Sequence, residues 1–205
     1  MVLPESSPSV TAPQSGRRHH LIRLGIYLCA LLLAWLVIRF VAQPYEVDGQ
    51  SMTPVLAAAD EVLVGKWPAR FGTLRPGDIV VIRRDQEPDR VLIKRIIAGP
   101  GETIEFRGGL RHLAGRPAPE PWLNPRFKDL SDLPQTLLGD DEFFTAGDNR
   151  WDSRDSRSFG PVRRREIIGR VWLRLWPADR LGWIRPAPDE PPPPLVLPGS
   201  DDKRA

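Results

Sequence analysis

From Leu21 to Ala42 the chain carries only two charged residues, Arg23 and Arg39, and the run Leu24–Ile38 carries none. About 20 apolar residues cross the hydrocarbon layer at roughly 1.5 Å of rise each, so residues 21–42 are predicted to form one transmembrane helix. Arg39 is long enough to snorkel to the headgroups. A cleaved leader would carry a small-x-small exit, whereas Phe40-Val41-Ala42 puts a bulky residue at its outer position. A buried core helix would not need to be apolar on every face. Arg17, Arg18 and Arg23 precede the apolar run, and no Lys or Arg lies between Arg39 and Lys66. The positive-inside rule then predicts a single-pass protein of the plasma (inner) membrane, with a cytoplasmic N-terminus and everything after the span extracytoplasmic. Residues 1–20 read as a cytoplasmic tail, disordered over its Pro-, Ser- and Gln-rich start.

Beyond the span the pattern changes to short β-type runs: Glu61–Val64, Asp78–Ile82, Val91–Ile97, Thr103–Phe106, Glu142–Thr145 and Ile167–Leu175. Gly77-Asp78, Gly99-Pro100-Gly101 and Gly108-Gly109 supply turns between them. Helical periodicity is weak. The expected fold is mostly β, an antiparallel folded or coiled sheet domain over residues 43–185 behind one N-terminal transmembrane helix. Leu110–Leu138, rich in Pro and Arg, is expected to be a long loop or small excursion. Residues 186–205 (PAPDEPPPPLVLP and beyond) read as a disordered Pro-rich tail.

Composition narrows the chemistry. The 205 residues, 41% of them hydrophobic, are enough for one sizeable core. Formal charge is +3, with 25 arginines against four lysines. No basic stripe with interleaved aromatics accompanies that charge, so no nucleic-acid partner is expected. The single cysteine, Cys29, lies inside the apolar run, which leaves neither a disulfide framework nor a thiolate metal site. Of three histidines only His112 follows the span, so neither a zinc centre nor any other metal or cofactor is expected.

Two residues stand out within those limits. Ser51 sits in Asp48-Gly49-Gln50-Ser51-Met52-Thr53-Pro54, nine residues after Ala42. Gly49 permits a tight bend, and Pro54 keeps a helix from starting directly after the serine. Lys94 stands in the run Val91-Leu92-Ile93-Lys94-Arg95-Ile96-Ile97. On an apolar strand face, desolvation favours the neutral amine, which can take a proton from serine; a guanidinium cannot, which disqualifies Arg95. The ordinary alternatives are a turn serine and an edge lysine with its head in water. A third element, Gly147-Asp148-Asn149-Arg150-Trp151-Asp152-Ser153-Arg154-Asp155-Ser156-Arg157, alternates carboxylates and guanidiniums closely enough to fix a loop.

Together these elements resemble a bacterial type I signal peptidase. The matching segments run in order: Ser51-Met52-x-Pro54 with Leu56, Gly77-Asp78-Ile79-Val80-Val81, and Lys94-Arg95 with Gly99-x-Gly101. Gly115 with Glu120-Pro121-Trp122-Leu123, Gly147-Asp148-Asn149-Arg150 through Asp155-Ser156-Arg157, and Ile168-Gly169 with Trp176-Pro177 complete the series. Several short motifs in fixed order over about residues 44–178 are far more specific than any one of them. The resemblance implies a membrane-anchored Ser–Lys serine endopeptidase that removes signal peptides from exported preproteins after an A-x-A-like site. It implies Ser51 as nucleophile, Lys94 as general base, Ser153 as the hydroxyl orienting the amine, and Asp155 with Arg157 as a bracing pair. Tyr45, Val47, Met52, Val81, Leu92 and Ile93 would line shallow substrate pockets. Some relatives carry a serine two positions before the nucleophile as an oxyanion donor; here that position is Gly49. The expected partners are preproteins and the lipid bilayer. A self-cleaving Ser–Lys repressor-type protease would want a DNA-binding domain where this chain has its span. A catalytically silent membrane-tethered binding protein would not need the hydroxyl and the amine together.

Overall fold

The computed structural model describes residues 15–186 and divides the chain into two units, 1–39 and 40–205. Apart from Pro186, the Pro-rich tail expected at 186–205 lies outside the described residues, as do residues 1–14. Helix α1 runs Ser15–Phe40 and contains an 18-residue window, His19–Leu36, apolar enough to cross a bilayer and buried nowhere. It begins inside the stretch read as a tail and stops two residues short of Ala42. Pro44 explains the stop, because the ring disfavours helix at the preceding residue and has no N–H to donate. Strand β1 (Ala42–Glu46) starts there and pairs antiparallel with β2 (Glu61–Gly65).

The strands of the second unit follow their sequence runs closely. A short helix α2 (Trp67–Arg70) leads to β3 (Ile79–Arg83) and β4 (Val91–Ala98). After β5 (Thr103–Arg107) come β6 (Leu110–Leu113), β7 (Arg116–Pro117), β8 (Leu133–Leu137) and β9 (Glu142–Ala146). Helix α3 (Ser156–Phe159), β10 (Val162–Arg163), β11 (Ile167–Trp176) and β12 (Gly182–Trp183) complete the order. The larger sheet runs β1-β2-β11-β3-β4-β9-β10, with β12 on β11. Both faces of β3 are covered, which is why it reads as an unbroken apolar run rather than an alternating one. Ile79 and Val81 pack with Val47, Met52, Leu56 and Ile93, while Val80 and Ile82 pack with Leu74, Ile96, Phe143 and Ile167.

The stretch Leu110–Leu138 corrects the expectation of a loop. It supplies β6, β7 and β8 to a second antiparallel sheet of order β7-β6-β5-β8. Gly108 and Gly109, both at positive φ, turn β5 into β6. A side chain at Gly109 would run into the Asp129 backbone. Prolines hide these strands in the sequence because they cannot donate to a ladder. The buried Arg111 guanidinium makes up the difference, donating to the carbonyls of Ile97, Ala118 and Pro119. Ile97, Ile104, Phe106, Leu138 and Phe144 form a third core cluster.

Strands β2 and β11 approach so closely that glycine is required on both. A Cβ on Gly169 would lie 2.5 Å from the Gly65 carbonyl oxygen, and one on Gly65 would strike the Trp172 indole. Gly169→Ala is expected to destabilise the full chain by about 1–3 kcal/mol through overpacking. Denaturant unfolding in detergent checks this, and an unchanged midpoint would contradict the close approach.

Candidate active site

Ser51 is held by a turn that both flanks pin down. Val47, buried, donates its N–H to the Asp60 carbonyl at 2.8 Å. Gly49 takes φ +88, which a side chain would strain, and Thr53 N–H closes the turn onto the Gln50 carbonyl at 3.1 Å. Met52, 1% exposed, anchors the far side in the core. The loop after β9 clamps the turn from above: Asn149 N–H donates to the Ser51 carbonyl at 3.0 Å, and its side-chain amide reaches the Gln50 carbonyl. That contact requires Gly147, because a Cβ there would sit 2.5 Å from the Ser51 carbonyl oxygen and overlap Ser153 Oγ.

Lys94 comes from β4, where the ladder changes. β3 pairs with β4 along Val91–Arg95, but β9 joins the other side only from Arg95 onward. Residues 91–94 therefore present an open strand edge, and Lys94 sits at its inner end. The residue is 3% exposed, and Nζ lies 2.7 Å from Ser51 Oγ. Burial is the main reason its pKa falls from the usual lysine range to about 8; Arg90 lowers it further, while Asp155, Asp148 and Asp152 pull it upward.

The loop 147–157 is fixed by charged pairs. Arg95 grips Asp148 with Nε and Nη2 at 2.8 and 2.7 Å and gives Nη1 to the Gly77 carbonyl, all buried. Arg150 makes the same two-pronged contact with Glu120 and donates Nε to the Gly147 carbonyl. Arg157 donates to both Asp155 oxygens at 2.9 Å, to Asp129 and to the Arg150 carbonyl. Burial by itself would raise the Asp155 carboxyl. Arg157's hydrogen bonds and charge, with donors from Ser153 Oγ and Gly147 N–H, outweigh it and lower the pKa.

Lys94 and Ser51 are thus one hydrogen bond apart, and Asp155 and Arg157 pair within the loop that packs on the Ser51 turn. Ser153 Oγ donates to Asp155 Oδ2 at 2.6 Å; among the described residues its hydrogen bond goes to that carboxylate and not to the Lys94 amine. A cleft of about 510 Å³ opens over Ser51 and Lys94, and Tyr45, Val47, Met52, Leu92 and Ile93 line it. Val81 does not; it is fully buried in the core cluster behind Met52 and Ile93. Two features escaped the sequence reading. Arg95 is a buried anchor, a role signalled only by its place opposite Lys94 between Ile93 and Ile97. Arg154 reaches out of the loop to Glu87, 67 residues earlier, with no local signal. Among the described residues no group of three or more His, Cys, Asp or Glu could hold a metal ion.

A hydroxyl one hydrogen bond from a buried amine, beside an open strand edge able to receive an extended chain, has the parts of a peptide hydrolase. The comparisons give the family. Residues 20–176 match the family model described as signal peptidase, peptidase S26, and this chain belongs to that family. The protein called signal peptidase I P from Bacillus subtilis subsp. natto is 35% identical over 163 residues, 75% of this chain and 88% of the relative. Signal peptidase I of Leptolyngbya laminosa is 34% identical over 194 residues, covering 90% and 95%. Signal peptidase IB of Staphylococcus aureus strain Mu50 is 30% identical over 164 residues, covering 72% and 85%. The chain is a serine peptidase of the type I signal peptidase family, whose work is removal of signal peptides.

The buried amine also sets a stability signature. An unfolded lysine titrates near 10.4 and the folded one at about 8, so between those values the unfolded chain binds more protons. Stability therefore rises with pH across that window, and the penalty of charging Lys94 is fully present below it. Comparing Lys94→Met with the parent chain isolates the effect. The variant's relative stability is expected to fall by about 3 kcal/mol between pH 7 and pH 10.5. A difference independent of pH, measured by denaturant titration, would contradict the depressed value.

Proposed function

We propose that the protein is a membrane-anchored Ser–Lys endopeptidase that cuts exported preproteins after small residues, with Ser51 as nucleophile and Lys94 as general base. The observation that carries this reading is the 2.7 Å separation of the Lys94 amine from the Ser51 hydroxyl, with the amine almost wholly out of water. A neutral Lys94 takes the Ser51 proton as Oγ attacks the scissile carbonyl, forming an ester and releasing an amine. Lys94 returns the proton to that amine, then draws one from the water that attacks the ester and passes it to Ser51 Oγ as the acyl group leaves as the acid. The Ser51 backbone N–H faces the developing oxyanion, and Gly49 offers no side-chain donor beside it.

An extended substrate segment fits the open edge at residues 91–94, where free backbone groups can pair with a peptide as an added strand. Tyr45, Val47, Met52, Leu92 and Ile93 leave shallow apolar walls suited to alanine-sized side chains, with Val81 supporting them from beneath. Asp155 and Arg157 hold the loop, and Ser153 acts on the site through Asp155. Helix α1 serves as the single-pass anchor in the plasma (inner) membrane, its Arg-flanked start cytoplasmic and the β unit extracytoplasmic. Tethering enzyme and membrane-held substrate to one surface raises their effective concentration.

Purified full-length protein in detergent should cleave a preprotein after its A-x-A site. Ser51→Ala and Lys94→Ala should each lower kcat by at least about 10² while the fold persists. Lys94→Arg should be as inactive as Lys94→Ala, because guanidinium cannot accept the proton. The rate should climb through about pH 8 as Lys94 loses its proton. Full activity in Lys94→Arg, or an ascending limb near the free-lysine value, would overturn the assignment.

A further inference from the structure

We propose that the ion pair between Glu87 and Arg154 is a clasp that sets the width of the substrate cleft, making both positioning residues for the peptidase reaction. This rests on the reading of the cleft given above. One cleft wall is the chain from Tyr45 to Met52; the other is the start of β4 with the turn before it, Asp89–Lys94. The loop carrying Asp152 and Arg154 closes the cleft between them. Arg154 Nη1 and Nη2 donate to the two Glu87 carboxylate oxygens at 2.8 and 2.7 Å, a two-point contact that fixes direction as well as distance. Glu87 belongs to the turn joining β3 to β4, and its carbonyl accepts the Arg90 N–H at 3.1 Å. Any movement of Glu87 is therefore passed to Arg90 and Asp89, which line the cleft.

The turn is tied on its other side as well. Arg84 donates to Glu87 at 3.0 Å and lies over the Phe159 ring, while Asp85 N–H donates to Glu166 and Arg165 pairs with Asp85. Those contacts fix the base of the turn against α3 and the turn of residues 164–166 just before β11. Arg154 ties its cleft side to the loop that carries Ser153. The pair is half open to water, Arg154 being 50% and Glu87 26% exposed. Exposed pairs contribute little to global stability, so its consequence is local: where one wall stands relative to the loop. Releasing it leaves the Ser51–Lys94 contact in place and loosens the space that receives the substrate side chains.

The test is a two-residue cycle in the full-length protein, with Glu87→Gln, Arg154→Gln and the double variant. Each single variant is expected to raise KM for an A-x-A peptide about three- to tenfold, with kcat within about twofold. Each should also narrow the preference for alanine over a larger residue at the cleavage position. The double variant should be no worse than either single one. Additive effects, an unchanged preference, or a lower kcat at constant KM would overturn the clasp. Affinity for an uncleaved signal peptide, measured on the same variants in a Ser51→Ala background, reports cleft width without turnover. If Ser51→Ala still cleaves, the nucleophile assignment fails, and that is distinguishable from a failure of the clasp.

Discussion

A lysine amine kept out of water at hydrogen-bond distance from one hydroxyl is the constraint to which the rest of the second unit answers. Such an amine loses its proton far more readily than a hydrated one, and it does so only while the surroundings stay dry and the partner stays put. Dryness comes from β3 and β4, whose side chains pack on both faces of the larger sheet. The partner is fixed by the turn at residues 48–54, held below by Met52 and above by the backbone of Asn149. Gly147 permits that approach by having no side chain to obstruct it.

The loop from Gly147 to Arg157 has little regular structure, so its shape must come from elsewhere. Three arginines provide it: Arg95 on Asp148, Arg150 on Glu120 and Arg157 on Asp155, each through two nitrogens. Buried pairs of this kind repay little more than their own desolvation, and removing one partner leaves a stranded charge. Their value is geometric. They place Asp155 where it receives the Ser153 hydroxyl and the Gly147 N–H, while the amine is bonded to Ser51. The carboxylates around Lys94 work against its neutral form, and burial prevails over them.

Much of this was legible in the chain because β-branched runs and glycine turns mark strands well. The runs beginning at Glu61, Val91, Thr103, Glu142 and Ile167 became strands with ends shifted by one residue at most. Strands β6 to β8 were not legible, since prolines interrupt their pattern and their hydrogen bonds come partly from the Arg111 side chain. The helix end at Phe40 was misjudged because hydrophobicity continues past it while Pro44 forbids the helix to follow. Ser51 and Lys94 stood out by their neighbours and by motif order. Val81 entered the expected pocket wall through the family resemblance alone, yet in the fold it packs in the core across the ladder from Ile93. The Glu87–Arg154 contact joins residues far apart in sequence, and only the fold brings them together.

The central claim is that burial lowers the Lys94 pKa to about 8 in the folded protein, bringing the neutral amine within reach of physiological pH. The chain has only four lysines, Lys66, Lys94, Lys128 and Lys203, so carbon-13-labelled lysine gives a spectrum in which Lys94 is identified by its loss in Lys94→Met. Titrating its side-chain resonance in the full-length protein should give a midpoint at about 8. A midpoint near 10.4, the value of a lysine in water, would contradict the account.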